Sequence, residues 1–192
     1  MVVKIVKKLL SLKELKRCTF ILHPNAKPAF DFFFNHTHLF CRSRLNASTL
    51  QVLNQNQTFY GIRTQENEIA LFSGYEFIGF DLANIEFTQH NVIIFSSLTD
   101  EEIIQQAWVA ALYVVLTSPP TKHLEELRRV INNLVPTDYI NLVFKKIKIS
   151  QRTWSEFNGV SRDGLAKQSQ STNKPTDLQI SIFERLENEY AG

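Results

Sequence analysis

Cysteine is scarce. Cys18 and Cys41 are the two in 192 residues, and they show neither CxxC nor metal-ligand spacing. That excludes a disulfide framework and suits a reducing, intracellular setting, with a single Cys18–Cys41 bridge as the alternative. Long apolar runs are missing too. The longest, Ala107–Leu116, is too short to span a bilayer. The N-terminal lysines precede no long apolar core and no small-residue cleavage site, so no secretion signal is expected. No internal repeat is visible. With 44% apolar and 21% charged residues, the chain can close a core rather than stay disordered. Its length allows one ordinary core and a small appendage. The expectation is a cytoplasmic globular protein.

Net charge is small at +2, but its distribution is uneven. Residues 1–22 carry +5, residues 145–174 carry another +5, and the rest sums to −8. Basic ends around an acidic body fit an anionic partner, or simply two solvated helix faces.

The central stretch is Ile69–Glu102. Ile69–Phe72 reads as a strand and Ser73-Gly74 as a turn. Tyr75–Ala83 places Phe77, Ile78, Asp81 and Leu82 at helical spacing. Asn91–Phe95 reads as a buried strand, and Thr99 or Ser97 caps a helix with three acids in its first turn. Ligands in such folds sit where a strand's end meets a helix N-terminus, which places a site around Gly74–Phe77.

Elsewhere, Val2–Arg17 fits a basic amphipathic helix or, in part, a strand. Cys18–Leu22 is a strand candidate, and Ala29–Phe34 a strand or a short buried helix. His36 and His38 would face one way on a strand, a metal pair set against plain surface or capping histidines. Leu45–Asn56 has a moderate helical face, Thr58–Arg63 reads as a strand, and Gln65–Asn67 as a hairpin turn. Glu101–Leu116 predicts a helix buried on nearly all sides. Ser118-Pro119-Pro120 is the best domain boundary. It separates a sheet domain (1–117) from a helical module (121–168), with residues 169–192 as polar linker and final helix. Thr121–Leu134 predicts an amphipathic helix with Leu134 among its inward residues. Thr137 or Asp138 would cap the next helix, which runs to Lys146. The linker reads from Gln168 to Thr176. Asp177–Tyr190 is an acidic amphipathic helix that fits folding back on the body or serving as a homodimer face.

Ile149–Gln168 resembles a helix-turn-helix. Ser150 caps a helix containing Trp154 and Phe157, Asn158-Gly159 turns the chain, and Ser161 caps a second helix with Leu165 inward. The glycine suits a left-handed backbone at the turn. Outward Arg162, Lys167 and Gln168, with Arg152, are the candidate DNA contacts. Gly164 weakens the second helix by about 1 kcal/mol relative to alanine.

The layout over 44–116 resembles the ParB/sulfiredoxin superfamily: a strand, a glycine, a polar triplet, a helix, a strand and an acidic helix start. Here the glycine is Gly74, and Tyr75, Glu76 and Phe77 stand at the triplet. The arginines that hold nucleotide phosphates and the redox cysteine of that family are absent from it, which argues against sulfiredoxin chemistry. Arg42 and Arg44 are candidate anion contacts in their stead, or surface ion pairs. The resemblance implies an α/β (α+β) fold, a small mixed sheet with helices followed by a C-terminal helical module. ParB-like proteins also carry a helix-turn-helix after the sheet domain. It further implies a DNA-associated protein of a plasmid or other mobile element. The alternative is an inhibitor of conjugal transfer that binds a protein of the transfer machinery, with residual nuclease or ATPase activity. A metal-dependent nuclease would draw on Glu76, Asp81 and His90 or His36. Glu76 and Asp81 lie five apart, a poor spacing for one helix face. No cofactor, resident metal or membrane span is expected.

Overall fold

A β3–β4 hairpin forms the centre of the molecule in the computed structural model, which describes residues 7–39, 57–77, 80–118 and 121–172. The strands are β1 (Lys7–Leu9), β2 (Thr19–Leu22), β3 (Thr58–Gln65), β4 (Glu68–Ser73) and β5 (Asn91–Phe95). They form one mixed sheet in the order β1-β5-β3-β4-β2. β3 runs antiparallel to β4 through a turn at Glu66-Asn67, and parallel to β5. β2 joins β4 in parallel, and β1 joins β5 in antiparallel. Both sequence-read strands around Gly74 are present, Asn91–Phe95 with the bounds expected.

Successive strand residues face opposite sides of a sheet, so each strand feeds two cores. Phe72 and Phe95 join one cluster, with Tyr60, Ile62 and Ile93 packed against it. Phe59, Ile69, Leu71, Val92 and Ile94 join the other. Helices cover the first face. The described residues of 75–90, largely without regular structure, cover the second together with α1 (Leu12–Leu15).

That cover corrects the helix expected over Tyr75–Ala83, since no helix forms among its described residues. Two local causes are visible. Asp81 Oδ1 accepts the Ala83 N–H at 3.0 Å, a side-chain turn that competes with helix bonding. Tyr75, Phe77 and Phe87 are all buried on the sheet, with the Phe59 ring 6.1 Å from Phe77 and 5.1 Å from Phe87. Burying an aromatic side chain is worth about 1.5–3 kcal/mol, more than the helix propensities at stake.

α2 (Lys27–Asn35) takes the helical option for the aromatic run, with Pro28 in its first turn, where a missing N–H costs nothing. α3 (Asp100–Thr117) begins in a capping box. Thr99 Oγ1 accepts the Glu102 N–H at 3.2 Å, and Glu102 Oε2 accepts the Thr99 N–H at 2.8 Å. It is not buried all round: Val109 and Tyr113 stand exposed along one side. No helix of the described residues is long and apolar enough to cross a membrane.

The helical module comprises α4 (Leu124–Leu134), α5 (Thr137–Phe144), α6 (Gln151–Asn158) and α7 (Arg162–Thr172). Leu134 is exposed rather than inward, and Phe157 of α6 is exposed as well. Pro136 occupies the position before α5 without a side-chain cap, and Lys145 ends the helix at φ 55°, one residue short of Lys146. α7 continues through Gln168 to Thr172, so the linker does not begin at Gln168. Buried side chains form one continuous cluster from α2 and α3 to Leu127 of α4, Trp154 of α6 and Leu165 of α7. Leu45–Asn56, Arg42, Arg44, Cys41 and Asp177–Tyr190 lie outside the described residues.

Candidate functional site

Gly74 ends β4 at φ +101°, a conformation that side chains rarely adopt. Its Cα packs against β3: a Cβ there would sit 2.4 Å from the Thr58 carbonyl oxygen and 2.6 Å from the Phe59 Cα. The turned backbone presents the Gly74 N–H to Glu76, whose Oε2 accepts it at 2.8 Å. Glu76 is buried, and its Oε1 has no hydrogen-bond partner among the described residues. Burial pushes this carboxyl up to about 7, against the pull of the Glu76 and Gly74 backbone and the Ser73 hydroxyl. Tyr75 is fully buried, and its hydroxyl donates to the Ala26 carbonyl at 3.5 Å. Burial, then the charges of Glu76 and Asp31, raise its phenol. Phe77 packs into the second core.

The segment Gly74–Phe77 therefore stands where the sequence places a site, but no helix N-terminus opens there. The amide that would meet an anion is occupied by the chain's own carboxylate. Asp81 does not join Glu76. It is exposed and held by Asn84 and by the Ala83 N–H, which depress its pKa. His36 and His38 lie not on a strand but at the end of α2 and in a 3-10 turn. His36 Nδ1 meets the Phe32 carbonyl at 2.8 Å, and His38 faces Glu126 at 4.0 Å. Among the described residues, no group of three or more His, Cys, Asp and Glu could hold a metal ion. Cys18 is a free, half-buried thiol.

The α6–α7 pair is built as the spacing predicts. Ser150 Oγ accepts the Thr153 N–H at 3.1 Å. Gly159 closes α6 at φ +65° with open space around its Cα, and the Val160 N–H reaches the Ser155 carbonyl at 3.1 Å. Ser161 Oγ accepts the Gly164 N–H at 3.1 Å and starts α7. Trp154 anchors the pair, donating Nε1–H to the Leu124 carbonyl at 2.7 Å while fully buried. Of the candidate contacts, Arg162 and Lys167 are exposed on α7. Arg152 is exposed on α6 and pairs with Glu156 at 3.0 Å. Gln168 is turned inward, its Oε1 accepting the Glu125 N–H at 3.1 Å.

Two features escaped the sequence reading. Glu125 is a buried carboxylate gripped by Arg128, at 2.9 and 2.7 Å, and by Arg129 at 3.3 Å. Burial pushes its pKa up, but the Arg128 and Gln151 hydrogen bonds and the two arginine charges outweigh that and leave it lowered. Arg128 Nη1 also donates to the Ile149 carbonyl at 2.8 Å, so the network fixes the approach to α6. The signal was an acid with arginines three and four residues on. The second feature is an open groove of about 580 Å³ between Tyr60 and Ser73 of the sheet and Gln105, Gln106, Val109 and Tyr113 of α3. No family model, no curated protein and no solved structure matches the chain.

Proposed function

We propose that the chain is a DNA-binding protein that contacts duplex DNA through α6 and α7, with the sheet domain as a non-catalytic body. One observation carries the reading. A helix pair joined at left-handed Gly159 is anchored by Trp154 and leaves Arg162 and Lys167 on an exposed α7. Such a helix can enter a major groove, while basic side chains on it neutralise phosphates. Lys145, Lys146, Lys148 and Arg152 add positive charge close by in the chain. The ParB-like layout suggests service on a plasmid or other mobile element, in the cytoplasm. Glu76, sealed and bonded to its own turn, supports a structural role there better than a hydrolytic one.

The test is fluorescence anisotropy with a mixed-sequence duplex at two salt concentrations. Wild type should bind in a salt-sensitive manner. The Arg162→Ala/Lys167→Ala variant should bind roughly tenfold more weakly or worse, with a salt slope shallower by about two. Absence of binding by wild type at low salt would sink the proposal.

A second reading has one observation in its favour. The groove beside α3 exposes Val109 and Tyr113, a surface suited to protein contact of the kind a conjugal-transfer inhibitor makes.

A further inference from the structure

The helical module exposes a set of apolar side chains at the end of α5, just beyond it and on α6. Ile147 is 75% exposed and Phe157 48%, with Leu142 and Val143 exposed as well. Phe144 joins the elements that carry them, its ring 5.2 Å from Phe157 and 6.0 Å from Trp154. Leu142 and Val143 share the last turn of α5 with Phe144, and Ile147 follows three residues later, past left-handed Lys145. Lys145, Lys146 and Lys148 are exposed around Ile147, and none forms an ion pair among the described residues. An apolar patch set in three uncompensated cations fits an occupant that is apolar on one side and acidic on the other.

The chain itself encodes such an occupant. Residues 177–190 read DLQISIFERLENEY. At helical spacing, Leu178, Ile182, Phe183 and Leu186 share one side, and the segment carries Asp177, Glu184, Glu187 and Glu189 against Arg185 alone. It is tethered to Thr172, the end of α7, by a stretch that can extend about 17 Å at roughly 3.4 Å per residue. A short tether gives a segment that it can bring onto a site an effective concentration of about millimolar, so modest complementarity suffices there. We propose that residues 177–190 of the same chain cover the Leu142–Ile147–Phe157 patch, apolar side down, with their acids against Lys145, Lys146 and Lys148. The three lysines are ones the DNA reading also draws on, but the test contains no DNA, so the two readings fail separately.

Zero-length carbodiimide coupling of the full chain, mixed as light and 15N-labelled protein, resolves the occupant by peptide mass spectrometry. The expected products join Lys145, Lys146 or Lys148 to Asp177, Glu184, Glu187 or Glu189 within one polypeptide. They should be enriched about tenfold over products from Lys8 or Lys27, as the tether predicts. Ile147→Asp should remove them, and circular dichroism should show an unchanged fold, because Ile147 is exposed. Mixed-isotope products would overturn the proposal in favour of a second copy. Absence of products would overturn it and leave the lysines to DNA or another anion. Undiminished products in Ile147→Asp would also overturn it, reducing the contact to charge alone.

Discussion

At the scale of the residue, two glycines in left-handed conformations have different tasks, and one substitution separates them. Gly159 turns in open space, so Gly159→Ala pays only the backbone cost, about 1 kcal/mol. At Gly74 the same methyl meets the β3 backbone at 2.4 Å. Backbone cannot swing aside as a side chain can, so Gly74→Ala should cost more than about 3 kcal/mol, or abolish folding. Urea unfolding of the two variants side by side checks the contrast, and equal losses would refute it. Beside Gly74, Glu76 makes stability depend on pH. Its folded pKa of about 7 lies above the ordinary 4.5, so the folded state holds a proton that the unfolded state has released. Stability must then fall as pH rises from about 4.5 to about 7, by roughly 3 kcal/mol in all. Glu76→Gln keeps an acceptor for the Gly74 N–H and removes the titration. It should flatten that fall, so that the variant gains on wild type between pH 5 and pH 8. Parallel thermal melts that show no convergence toward low pH would refute the assignment.

At the scale of the element, α4 carries the helical module through one carboxylate. Glu125 neutralises Arg128 and Arg129, and Arg128 and Asn132 together hold both polar groups of the Ile149 backbone. Glu125→Ala should cost about 3 kcal/mol in chemical denaturation, because it leaves a partly buried guanidinium uncompensated. The loss should shrink in acid: the depressed carboxylate stabilises the fold above its unfolded value and ceases to do so as pH falls through its folded one. A loss under 1 kcal/mol at neutral pH would show that the arginines find water instead. Elements set by local signals were legible in the sequence. The capping box at Thr99 and Glu102, the NVIIF strand and the Ser150–Gly159–Ser161 punctuation of α6 and α7 each act over three or four residues. The segment 75–83 was not legible, because Phe77, Ile78, Asp81 and Leu82 have a three- and four-residue spacing that also fits a helix. What decided it was an aromatic face on a sheet assembled from strands far away in the chain. Glu76 was read as a polar site residue for the same reason: its burial depends on the Gly74 turn and its packing against β3, neither of which has a signature at position 76.

At the scale of the whole molecule, Ser118-Pro119-Pro120 punctuates the chain, yet the core does not stop there. Phe72 and Phe95 of the sheet, Trp108 and Leu112 of α3, Leu127 of α4 and Trp154 of α6 belong to one buried cluster. Trp108 lies 5.4 Å from Phe32 on one side and 6.3 Å from Tyr139 on the other, so a single side chain of α3 touches both α2 and α5. A helical module that shares its apolar surface with the sheet domain would expose that surface by unfolding alone. The cost of exposing it couples the two parts. The two tryptophans report on the two parts separately. Trp108→Phe leaves Trp154 as the fluorophore of the helical module, and Trp154→Phe leaves Trp108 beneath the sheet domain. The denaturation curve of each variant, followed by its remaining tryptophan, should coincide with its own far-ultraviolet circular dichroism curve in midpoint and slope. A Trp154 signal lost at lower urea than the secondary structure would show that the module folds as a separate unit behind the prolines, and that its contacts with α3 contribute little.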